Sequence, residues 1–154
     1  MRKLKPKYTK PRHPWEKMRI IEEKNLKKEY WYKNKKEMWK MRSILKNFRE
    51  QARTLIGSQE HQAEKQKKQL LEKLNNLGIL TKKDAGLDDV LGLSIKDIME
   101  RRLQTLVYRK KLSNTIKESR QKILHGKVFI GDKKTTAPSK LVSVDEEKQI
   151  KGVE

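Results

Sequence analysis

Residues 114–134 read NTIKESRQKILHGKVFIGDKK, and the order of signals in this stretch decides the architecture of the C-terminal half. Thr115 followed three residues later by Glu118 has the form of a capping pair, so a helix opens there. Ile116, Ser119 and Ile123 recur at helical spacing and face inward, while His125-Gly126 closes the helix. Val128, Phe129 and Ile130 form a short strand-like run, and Gly131-Asp132 supplies the glycine-first form of a two-residue hairpin turn. Lys117, Arg120, Gln121 and Lys122 are left pointing outward, with Glu118 and Asp132 as the stretch's carboxylates. Two short helices and a hairpin cannot enclose a substrate, but they can present a curved cationic edge.

The rest of the chain has the same bias. It has 154 residues, room for one domain or for one domain with a small second module. Hydrophobic residues make up 34% and charged residues 39%, so the core is modest and much of the surface is charged. Forty Lys and Arg against twenty Asp and Glu give a net charge of +20, which attracts any polyanion. The charge is segregated. Residues 1–50 hold eighteen basic and six acidic residues and residues 101–140 hold twelve and two, whereas residues 84–100 hold one basic and five acidic. Two basic centres are thus separated by an acidic connection. No apolar run reaches the roughly 18 residues of a spanning helix, and no signal-peptide core follows the basic start, so membrane insertion and secretion are not expected. The absence of cysteine removes disulfides, thiolate zinc sites and thiol nucleophiles.

Residues 1–14, MRKLKPKYTKPRHP, space prolines among lysines and predict an extended basic tail that needs a partner surface to become ordered, or else stays solvated. Pro14 suits a first helical position and Glu16 a first turn, which predicts a helix from Trp15 to about Glu29. Tyr30-Trp31-Tyr32-Lys33 breaks that pattern, and Asn34 with Glu37 restarts it as a second capping pair. Met38, Met41, Leu45, Phe48, Ala52 and Leu55 then alternate steps of three and four until Gly57. Roughly three heptads with Met, Phe and Ala in the seam is marginal for a coiled coil, so a small helical domain is the better reading. A third helix is built on Leu70, Leu71, Leu74 and Leu77 and stops at Gly78, with an exposed or frayed start over SQEHQAEKQKKQ. TKKDAGLDDVLGL, residues 81–93, reads as an irregular connection with one short turn of helix. Ser94 with Asp97 opens a further helix carrying Ile95, Ile98, Met99, Leu103, Leu106 and Val107 on one face.

ERRLQTLVYRKKLSNTIKESRQKILHGKVFI, residues 100–130, resembles the small RNA-binding module of the S-four family of small-subunit ribosomal proteins, in its archaeal and eukaryotic form. KYTKPRHPWEKMRI near the start, KNKKEMWKMRSIL at 33–45, QLLEKLNNLGIL at 69–80 and LDDVLGLSIKDIMERRLQT at 87–105 resemble the same family in the same order. Trp31-Tyr32 stand where family members often have Gly-Leu, Gly131-Asp132 stand near the usual Asn-Gly turn, and Lys140 replaces a common aromatic. The resemblance implies a mainly α fold. An extended tail (1–14) precedes a helical N-terminal domain (15–94), an α+β RNA-binding module of two short helices and a β-hairpin (95–142) and a C-terminal tail (143–154). It also implies a structural, non-enzymatic constituent of the small ribosomal subunit in the cytoplasm. Its partners would be a multi-helix junction in the five-prime domain of small-subunit ribosomal RNA and neighbouring ribosomal proteins, notably the S-five family, near the messenger-RNA entry side. No cofactor, membrane or small-molecule substrate is implied.

RNA presents phosphates, a shallow minor groove and, at junctions, unstacked bases, so its recognition takes point charges, guanidinium forks and aromatic faces. The candidate contact residues are Arg12, His13, Trp15, Arg101, Arg102, Arg109, Lys110, Lys111, Lys117, Arg120, Lys122, His125 and Lys127. Arginines within the module rank above lysines, because a planar fork loses less freedom on being ordered. Trp15 and Tyr108 are possible stacking surfaces, Trp39 is expected in the core, and His125 is poised for phosphate contact or for capping a helix end. His13, His61 and His125 are scattered without a second ligand at metal spacing, and Asp88-Asp89 have neither pocket nor phosphate loop. Nothing pairs a nucleophile with a base. A free-standing RNA-binding factor using the same module, and a sequence-indifferent DNA-packaging protein, are the competing binding readings.

Overall fold

The computed structural model describes residues 6–58, 61–80 and 85–152. The expectations for residues 1–5, 59–60, 81–84 and 153–154 therefore lie outside the described residues. Five helices come first: α1 (Lys17–Tyr30), α2 (Lys35–Gly57), α3 (His61–Asn76), α4 (Leu87–Gly92) and α5 (Ile95–Glu100). Helices α6 (Leu103–Arg109) and α7 (Ile116–Leu124), strands β1 (Val128–Ile130) and β2 (Lys133–Lys134), α8 (Val144–Lys148) and β3 (Ile150–Gly152) follow. The protein is thus mainly helical with a small α+β unit at its C-terminal end.

The apolar stripe of α2 organises the first core. Met38, Met41, Leu45, Phe48 and Ala52 are buried along one face, and α3, α4 and α5 pack against it. Burying each of the Met, Leu and Phe side chains fully contributes about 1.5–3 kcal/mol. Trp39 is partly buried against this core, in keeping with the packing role expected of it. Helix α3 ends in a left-handed cap at Gly78 (φ 64°), with Ile79 N–H donating to the Leu74 carbonyl and Gly78 N–H to that of Asn75. A side chain at Gly78 would meet Val144 Cγ2 at 2.9 Å and the Arg101 guanidinium carbon at 3.0 Å, so this turn also lies close against the C-terminal unit.

Two expectations near the N-terminus shift. Helix α1 begins at Lys17 rather than Trp15, because the Arg19 guanidinium holds the His13 and Pro14 carbonyls (3.0 and 2.6 Å) and keeps that segment turned. The described part of the tail rests on α2. Thr9 N–H donates to Ser43 Oγ at 3.1 Å, and the Tyr8 ring lies 5.9 Å from that of Trp39.

The single helix expected after Ser94 is two. Ser94 N–H donates to the Asp97 carboxylate as the capping pair requires (2.7 Å), and the Ser94 hydroxyl donates to the same oxygen (2.9 Å). The chain then breaks at Arg101-Arg102, because the segment before α8 supplies the partners a continuous helix would supply. Leu103 N–H donates to the Lys140 carbonyl (2.9 Å), Gln104 N–H to that of Pro138 (3.3 Å), and Val142 N–H to that of Arg101 (3.0 Å). The break divides one apolar face between two cores. Ile98 and Met99 join the α2 cluster, while Leu103, Leu106 and Val107 join Ile123, Val128, Ile130, Val142 and Ile150.

The stretch quoted at the outset folds largely as its signals direct. Thr115 Oγ1 accepts from Glu118 N–H (3.1 Å), Ser119 and Ile123 are buried, and Gly126 (φ 70°) ends α7 with the same left-handed cap as Gly78. Strands β1 and β2 pair Ile130 with Lys133 across the two-residue Gly131-Asp132 turn. The C-terminal segment is more than a tail. Ser143 caps α8, and β3 pairs antiparallel with β1 to give a sheet in the order β2-β1-β3. Burial of Ile150 explains that addition: it covers the second core from the far side of β1.

Candidate nucleic-acid interface

The basic residues of the C-terminal unit divide into an inward and an outward group. Arg102 and Arg120, expected on the outward surface, are both turned inward onto Glu37. Arg102 Nη2 lies 2.7 Å from Glu37 Oε2, and Arg120 grips both carboxylate oxygens at 3.1 and 2.9 Å. The Arg102 side chain is only 1% exposed. Glu37 was expected to reach back to the Asn34 N–H, but the Asn34 side chain makes no cap hydrogen bond and the carboxylate is drawn to the two guanidinium groups, whose charge-assisted bonds are stronger. Burial acts most strongly on Glu37 and would raise its carboxyl, yet the hydrogen bonds from Arg120 and Arg102 outweigh it and hold the group below its ordinary range. Burial likewise pulls the Arg102 guanidinium downward, with Glu37 opposing.

Gln104 completes this seam between the two units. Its buried amide donates to the Trp31 carbonyl (3.2 Å) and to the Ile116 carbonyl (3.1 Å), joining the end of α1 to the start of α7. Arg101 is committed inside as well, to Glu147 (2.7 Å) and the Val142 carbonyl (3.2 Å). Lys110 donates to the Glu147 carbonyl, and Lys122 to the Leu112 carbonyl (2.9 Å) while pairing with Glu118 (3.1 Å). The Asn114 N–H and Lys122 together keep the Glu118 carboxyl low.

A fully buried carboxylate, Glu23, anchors the N-terminal helices. Desolvation pushes Glu23 upward, but Trp39, Arg19 and Lys35 outweigh it and lower the group. Tyr32, whose hydroxyl donates to the Glu23 carbonyl at 2.6 Å, is pushed up to about 12 by burial.

The outward cations are mainly lysines. Lys111, Lys117, His125 and Lys127 are exposed, and so are Lys133 and Lys134 on β2, which sequence reasoning left off the candidate set although they flank the predicted turn. The exposed Lys134 chain crosses Gly126 so closely that a side chain there would meet its Cε at 1.8 Å. Arg109 is also outward, with its fork on Glu100 at 3.2 and 2.9 Å. At the opposite end of the chain Arg12, His13 and Trp15 are all exposed, Trp15 to 89%. Between tail and α2 runs an open groove lined by Lys10, Arg42, Lys46, Arg49 and Arg53. The signal for that groove was present in the basic side of α2, but not the seating of the tail along it.

This arrangement supplies fixed positive charge and exposed aromatic surface, the chemistry of a polyanion-binding face. Among the described residues no group of His, Asp and Glu could hold a metal ion, and no helix is long and apolar enough to cross a membrane.

Residues 2–100 match the family model described as the ribosomal protein S4/S9 N-terminal domain, and residues 101–148 match the S4 domain. The chain belongs to the S4 family of ribosomal proteins. Its relatives include proteins named small ribosomal subunit protein uS4 from three Methanococcus species. That of Methanococcus aeolicus is 51% identical over 97% of this chain and 84% of its own length. Those of Methanococcus maripaludis and Methanococcus vannielii are 47% and 46% identical, over 99% and 97% of this chain and 85% and 84% of their own lengths. The two S4-family matches meet between residues 100 and 101, at the helix break that divides the two cores.

Proposed function

We propose that this protein is a structural constituent of the small ribosomal subunit and a primary binder of its RNA. It would organise a multi-helix junction in the five-prime domain, support assembly, and lie toward the messenger-RNA entry side beside a member of the S-five family. The observation that carries this reading is the joint match of both units to ribosomal S4 models, with relatives of that name covering nearly the whole chain. The match of residues 2–100 to a ribosomal N-terminal domain weighs against a free-standing factor that merely borrows the module.

The RNA-contacting set is proposed as the outward group: Arg12, His13 and Trp15 at the tail, and Arg109, Lys111, Lys117, His125, Lys127, Lys133 and Lys134 on the C-terminal unit. Arg101, Arg102, Lys110, Arg120 and Lys122 act instead by fixing the surface that presents them. Chemical footprinting of small-subunit RNA with and without the protein tests the reading. Protection concentrated at a five-prime-domain junction is expected, and equal binding to duplex DNA at moderate salt would overturn it.

A further inference from the structure

Trp31 is one of two non-glycine residues among the described residues with positive φ (46°, ψ 54°), a conformation that glycine enters freely and a bulky side chain does not. Its N–H donates to the Lys27 carbonyl at 2.9 Å and its own carbonyl accepts from Gln104, so the turn is pinned from both units. The next residue, Tyr32, goes into the core, while the Trp31 indole is swung out and stays 41% exposed. Over that indole lies Lys117 Nζ, 5.3 Å from the ring centroid, at the start of the outward basic face of α7. The left-handed cap of α1 thus holds an aromatic at the surface beside a cation, the two groups that stacking on a nucleotide uses.

We infer that Trp31 and Lys117 form a binding site for one unstacked nucleobase of RNA, in which the base displaces the Lys117 ammonium from the indole face and stacks there, and the displaced ammonium serves the phosphate of the same nucleotide. This rests on the RNA-binding reading above. The chemistry fits each element. An indole face accepts any base by stacking, a lysine beside it supplies the counter-charge, and the seam behind it keeps the platform rigid. Trp15 has no comparable support: it is more exposed, and its neighbours Arg12 and His13 lie in the turned tail segment ahead of α1.

The test uses the full chain and a transcript of the five-prime-domain junction of small-subunit RNA. Trp31→Gly is expected to weaken binding by roughly fivefold to a hundredfold without lowering the thermal midpoint, since glycine relieves the backbone, and Trp31→Phe is expected to keep most of the affinity. In wild-type protein carrying 5-fluorotryptophan, the resonance that Trp31→Gly removes is expected to move on adding the transcript. Unchanged affinity of Trp31→Gly, or a Trp31 resonance that moves only when another ribosomal protein is added, overturns the site while leaving RNA binding intact. Failure of the wild-type chain to bind the transcript at all overturns the RNA-binding reading with it.

Discussion

The seam at Glu37 and the outer face of α7 with the hairpin are built from the same basic composition and put it to opposite uses. At the seam, Arg102 and Arg120 face inward on one carboxylate, with side chains 1% and 14% exposed. On the outer face, Lys111, Lys117, Lys127, Lys133 and Lys134 stand in solvent. The difference follows from the side chains themselves. A guanidinium fork satisfies a carboxylate bidentately and is weakly hydrated, so it tolerates burial, whereas a lysine ammonium is a strongly hydrated point charge on a flexible stem. Net charge therefore overstates the charge turned outward: part of the basic total holds the two units together.

The largest expected effect breaks the seam. Glu37→Ala leaves two guanidinium groups facing each other without their anion, and unfolding in urea is expected to show a loss of about 3–5 kcal/mol. An effect under about 1 kcal/mol would mean that the two units are held by apolar packing and the Gln104 hydrogen bonds without the Glu37 contact. Acid should weaken the same contact. The folded Glu37 carboxyl is held below its ordinary 4.5, so its contribution is fully present above that value and lost as pH falls through the lower folded value. Stability measured downward from about pH 5 should therefore fall less steeply in Glu37→Gln than in the native chain. Thr115→Ala removes the cap of α7 and should cost about 1 kcal/mol, with the thermal midpoint as the measure. On the outer face, Lys127→Gln should change stability by no more than about 0.5 kcal/mol while weakening RNA binding.

Much of this architecture was legible in local signals. The α2 stripe, the stop at Gly78, the Ser94 and Thr115 caps and the two-residue hairpin turn each involve residues near one another in sequence, so spacing alone exposes them. What spacing could not reveal depends on distant partners. The break at Arg101-Arg102 is made by the Pro138 and Lys140 carbonyls, and β3 exists because Ile150 finds the second core. Arg120 sits at a position that helical periodicity turns outward, yet Glu37, 83 residues away, draws it in. The candidate site was legible as a basic region but not residue by residue: ranking arginine above lysine rested on the strength of the fork, and spacing could not show that the forks of Arg102 and Arg120 lie on Glu37.

The claim that inward cations position and outward cations bind is tested most directly by the salt dependence of RNA affinity. Binding of the five-prime-domain junction transcript would be titrated across salt concentrations for the native chain and for a Lys127→Gln, Lys133→Gln, Lys134→Gln variant with matched thermal midpoint. Each lost phosphate contact should reduce the slope of log K against log salt by about 0.7–0.9, so the triple variant should show a slope shallower by about 2–3. A slope equal to that of the native chain would contradict the account, placing the phosphate contacts elsewhere on the molecule.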